Sequence, residues 1–157
     1  MIDPAEGLVL LAGLALALAA GFDLARFTIP DVFAVTILVT GVAHAMVTGA
    51  PLALHLAAPV LTLAAGLVVF RAGVMGGGDV KLLVAVAGWT GLGGLASVML
   101  AISVAGGMLS VVLAMAWGAA KMFASTPIPR VLQGGAPLPY AVAIAAGCLG
   151  SAVVAAA

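Results

Sequence analysis

Charge is the scarcest property of this 157-residue chain, which has five basic and five acidic side chains, 6% of the sequence, and a formal net charge of zero. Soluble domains carry about 25% charged residues, so a water-exposed globular fold is excluded. The basic residues are too few and too scattered to neutralise a phosphate backbone, which removes nucleic acid from the expected partners. Cysteine is nearly absent. The lone Cys148 forbids an internal disulfide and any CxxC metal or redox site, and within its apolar run it reads as an inert packing residue. The first apolar run, residues 8–20, also lacks a basic region ahead of it, since Asp3 and Glu6 stand there instead. That argues against a cleaved signal peptide and for a retained first helix.

What is present is apolar: 66% of residues are hydrophobic and the mean hydropathy is +1.40. At about 20 residues per crossing, the chain has room for six or seven membrane helices at most. Almost nothing is left for a separate soluble catalytic or cofactor domain. The expected fold class is an all-α, polytopic membrane helix bundle, a single integral-membrane domain over residues 1–157. Its expected partners are membrane lipid and other membrane proteins.

Short polar punctuation separates the apolar runs and predicts helices over residues 7–22, 32–47 and 52–70, the last with Pro59 inside it. The stretch between Lys81 and Lys121, taken as one helix, would be about 58 Å long, almost twice the hydrocarbon thickness. It must therefore turn back, most naturally at Thr90-Gly91-Leu92-Gly93-Gly94, giving a short fourth helix and a longer fifth ending near Trp117. A proline-rich loop, residues 121–139, and a last helix from Tyr140 complete six crossings.

With these boundaries Arg26, Arg71, Lys81, Lys121 and Arg130 all fall on one side, which the positive-inside rule makes the cytoplasm. The N-terminus then faces outward. Seven of the eight aromatic residues lie near the same inner interface, leaving only Trp89 near the other.

Two of the five acids stand out. Asp23 closes the first, inward-running helix and Asp79 opens the fourth, outward-running one, so both carboxylates come to one depth near the inner interface. An acid this close to hydrocarbon is costly and is a functional candidate by default. Two carboxyl groups within reach of each other share a proton. One can then act as general base on a water while the other polarises a carbonyl. By position alone, each aspartate is equally well read as a helix cap or a solvated interface residue, and Asp31, after Pro30, suits a helix N-cap. The histidines, His44 and His55, lie too far along their helices to join the aspartates, and no metal site or cofactor is expected.

The local sequence adds to this. Gly76-Gly77-Gly78-Asp79 is followed by Val80-Lys81-Leu82-Leu83 and then by Gly88-Trp89-Thr90-Gly91. Glycines ahead of the acid let backbone approach an extended substrate or the partner carboxylate. The string resembles the GxGD signature of intramembrane aspartic proteases, and as GxGDxKLL with a downstream GxWxG it resembles the type IV prepilin peptidases. Asp23 with Arg26 and Ile29-Pro30 is similar to that family's first catalytic segment. Pro139-Tyr140-Ala141-Val142-Ala143-Ile144-Ala145 is similar to its Pro-Tyr-Gly-x-Ala-x-Ala stretch. The size resembles the short members serving tight-adherence (Flp-type) pili, without the large insertion that accompanies N-methylation in the long ones. Asp31 stands where the family usually has Asn, Ala141 replaces a frequent Gly, and the first loop has a single basic residue.

Carried over residue by residue, the resemblance implies catalytic roles for Asp23 and Asp79, with Gly76, Gly78 and Lys81 in the active-site loop. Lys81 would either bias the Asp79 charge or snorkel to the headgroups. The implied function is a multi-pass aspartic endopeptidase of the bacterial inner membrane. It would remove, at the cytoplasmic face, the leader of prepilin-like proteins that carry a hydrophobic N-terminal helix. Two other readings stand beside it. One is a small proton-coupled transporter, weakened by the lack of polar residues at mid-membrane; the other is a non-catalytic pilus-assembly membrane protein, against which the presence of both aspartates argues.

Overall fold

The computed structural model describes residues 3–123 and 138–156. They form five helices: α1 (Pro4–Arg26), α2 (Asp31–Thr48), α3 (Leu52–Arg71), α4 (Gly77–Phe123) and α5 (Tyr140–Ala156). The first four are long and apolar enough to cross a membrane.

Each helix end has a local cause. Asp3 caps α1 by accepting the Ala5 N–H, and Pro4 follows in the first turn, where its missing N–H costs nothing. The helix does not stop at Asp23, as the sequence suggested. Leu24, Ala25 and Arg26 continue it by one turn, and it ends where Phe27 adopts a left-handed conformation (φ 52°) and donates its N–H to the Asp23 carbonyl. Asp23 therefore lies within the last turn. Pro30 and Pro51 precede α2 and α3 as their N-caps, so Asp31 is the first residue of α2 rather than its cap.

The predicted turn in residues 90–94 is real in its cause. Inside α4, Gly91 has φ 63° and ψ 179°, a conformation open essentially only to glycine. This backbone divides α4 into two arms, 77–90 and 92–123. A straight helix would hold Asp79 and Gly106 roughly 40 Å apart. Yet Gly106 lies against Tyr140 and Ala143, while the Ala141 N–H bonds Asp23, which interacts electrostatically with Asp79. The two arms therefore run back alongside each other. The second arm continues to Phe123, so Lys121 is helical rather than part of a loop. The remainder of the predicted loop, with Arg130, lies outside the described residues.

Packing relies on small residues. The core joins Ala15, Leu16 and Ala19 of α1, Ala34 and Ile37 of α2, Leu82, Ala85, Val86, Val98 and Ile102 of α4, and Ala141 and Ile144 of α5. In lipid there is no hydrophobic drive between apolar helices, so close backbone approach supplies the attraction. A Cβ on Gly147 would lie 2.5 Å from the Ile102 Cα, and one on Gly41 would lie 2.7 Å from the Trp89 Cα. Large apolar side chains such as Val60, Val68, Leu100 and Met108 point outward instead, as expected of helices that face lipid.

Candidate active site

Asp23 is buried, with 6% of its surface exposed. Its Oδ2 accepts the Ala141 N–H at 3.0 Å. That donor belongs to the first turn of α5, where N–H groups have no partner within the helix and where the helix dipole favours negative charge. Asp23 thus serves as a cap in trans for a helix 118 residues away in sequence. Pro139, fully buried, sets the start of that helix.

Asp79 is half-buried in the first turn of α4. It accepts a backbone hydrogen bond from Gly76 and lies within electrostatic reach of Asp23. A Cβ at Gly76 would stand 2.9 Å from the Asp79 Oδ2, so any side chain there would push the carboxylate aside. Gly78 faces Ile29, 3.4 Å from its Cβ, so the connection after α1 packs directly on the glycine segment that carries Asp79. The two candidate carboxylates and two of the three candidate loop residues, Gly76 and Gly78, come together.

Lys81, the third candidate loop residue, pairs with Asp31. Its Nζ lies 2.7 Å from the Asp31 Oδ1, and the side chains are 56% and 68% exposed respectively. It joins the start of α4 to the start of α2 through a surface ion pair. Arg26 lies over the Phe22 ring, 5.5 Å from its centroid. Among the described residues, neither Asp23 nor Asp79 has an ion-pair partner, so backbone N–H groups are what meet their charge.

The histidines are remote from the dyad. His55 Nδ1 lies 3.0 Å from the Gly88 carbonyl; a carbonyl only accepts, so the ring donates there. His44 stacks on Trp89 with centroids 4.9 Å apart. Both line a cavity of about 510 Å³ with Thr90, Ser97 and Cys148. Among the described residues no three His, Cys, Asp or Glu side chains gather as a metal-ligand group.

A model of the type IV leader peptidase family matches residues 10–111. The chain belongs to that family. No curated protein and no solved structure matches it. With its four long apolar helices, this leader peptidase is a multi-pass membrane protein. The matched span holds Asp23, the glycine segment, Asp79 and the Gly91 break, and it ends before α5. The Ala141 donor therefore lies beyond the matched residues. The string around Ala141 carries no side-chain signal of this role, because the contribution is a main-chain N–H that any residue except proline supplies.

Proposed function

We propose that this leader peptidase is an aspartic endopeptidase with Asp23 and Asp79 as its catalytic pair, forming one membrane domain over residues 1–157. The observation that carries this reading is the meeting of two carboxyl groups from separate apolar helices. They are met by backbone donors, and among the described residues no cation pairs with either. Such a pair holds one proton between them and titrates as a unit. The ionised carboxylate takes a proton from a water whose oxygen attacks the scissile carbonyl carbon, while the protonated carboxyl donates to the carbonyl oxygen. On collapse the C–N bond breaks and the nitrogen takes up a proton. The products are a free carboxyl terminus on the leader and a free amine on the mature protein. Gly76 leaves the Asp79 carboxylate free of a neighbouring Cβ, and Gly78 lets the connection after α1 close over the segment.

The substrate is a prepilin of the Flp-like class with a hydrophobic N-terminal helix. Cleavage is at the cytoplasmic face of the bacterial inner membrane. Arg26 and Lys81 at the dyad end support this sidedness. Incubating the purified protein with candidate prepilins and locating the new N-terminus by mass spectrometry tests the proposal. Expected is one cut immediately before the apolar helix, lost in Asp23→Asn and Asp79→Asn. Unchanged processing by either variant overturns the pair.

A further inference from the structure

Between the second arm of α4 and α5 runs an open apolar groove of about 970 Å³. One wall is the ridge Leu100, Val104, Met108 and Val112, spaced four residues apart and each more than half exposed. The facing wall on α5 is small-sided, with Ala146, Gly147 and Gly150. From Ser97 to Val112 the groove is roughly 22 Å long at helical rise.

We infer that this groove docks the apolar helix of the substrate, with the helix N-terminus at the dyad end; the inference rests on the leader-peptidase reading above. Three observations support it. First, the groove leads to the site: its inner end is formed by Val142 and Ala143, the two residues after Ala141, whose N–H holds Asp23. Second, its length takes about 15 residues of helix, most of a crossing, and its i, i+4 ridge against a small-sided wall is the relief that a partner helix packs into closely. Third, the outward apolar face of α3 lies apart from both cavities. Val60, Leu61 and Val68 of α3 are as exposed as the groove ridge, yet none of them lines either cavity. The substrate proposed above carries an apolar helix whose place is the bilayer, and the groove gives that helix a seat.

The test places p-benzoyl-phenylalanine at Val104 or Met108 in the groove, or at Val60 or Val68 on α3. Each is made in the full-length Asp79→Asn protein, in membranes containing an uncleaved prepilin. Expected are light-dependent adducts with the prepilin from the two groove positions, at least five times those from α3. Equal yields from both faces, or adducts with lipid alone, overturn the assignment. A second measurement uses Gly150→Leu in the otherwise unaltered enzyme. Gly150 lines the groove and a Cβ there meets nothing within 4 Å, so a larger side chain is admitted at this wall. Processing falls at least tenfold if the groove seats the substrate; an unchanged rate overturns the assignment. Failure of the unsubstituted protein to cut any prepilin counts against the leader-peptidase reading instead, since adducts are scored without cleavage.

Discussion

At the scale of single residues, the pair and its supports make separable predictions. Asp23→Asn or Asp79→Asn removes general acid–base function and lowers kcat by about 10²- to 10⁴-fold, with the protein still accumulating in membranes. Gly76→Ala is subtler. Its Cβ would press on the Asp79 Oδ2 at 2.9 Å, and a displacement of about 1 Å in a reacting group costs about 10²-fold. The expected outcome is a loss in kcat with little change in thermal midpoint, read by prepilin processing beside a melting curve. Asp31→Asn, by contrast, breaks only an exposed ion pair with Lys81 and lowers stability by no more than about 1 kcal/mol. The glycine-aspartate string was legible through its resemblance to the family's longer GxGDxKLL element, since glycines beside one acid say little alone. The Lys81–Asp31 pair was not, since Lys81 lies two residues from Asp79 in sequence but helical geometry turns it outward to the start of α2. The Ala141 contact was hidden for a different reason: it uses backbone, and side-chain patterns do not record which main-chain donor meets a distant carboxylate.

At the scale of elements, the divided helix is the feature on which the site depends. Because the chain doubles back at Gly91, α5 can lie along the second arm and bring its first turn to Asp23. The need for a turn was readable from length alone, since about 58 Å of helix exceeds the bilayer. Its cost was not readable. A carbonyl just before a helix break loses its partner within the helix, and here His55 of α3 supplies a donor to Gly88. His55→Ala leaves that carbonyl unpaired and is expected to cost about 1–3 kcal/mol. Gly91→Ala forces a non-glycine residue into the same backbone conformation, with its Cβ 3.0 Å from the His55 Nε2, and costs about 1–3 kcal/mol. Since both changes act on one contact, the double variant is expected to lose less than the sum. Thermal unfolding in one detergent measures all three, and full additivity would show that His55 and the break are independent.

At the scale of the whole molecule, the question is how helices and charges sit across the bilayer. Among the described residues four helices are long and apolar enough to cross. We propose six crossings, counting the arms of α4 separately and adding α5, because the antiparallel arms bring residues 79 and 106 to one end of the bundle. That arrangement collects Arg26, Arg71 and Lys81 with the dyad, and sets Thr48–Ala50 and the Gly91 break at the opposite end. The ends of α1 and α2 are consequently on opposite faces, and single cysteines at the two connections separate this topology from its inverse. In a Cys148→Ala background, Thr28→Cys is expected to react with a membrane-impermeant maleimide only after the cytoplasmic face is opened, and Ala50→Cys to react in intact cells. The reverse pattern would place the dyad outside and remove the cytoplasmic substrate face. Equal labelling of both in intact cells would mean that the first two helices do not each cross, and the shared depth of Asp23 and Asp79 would then need another frame.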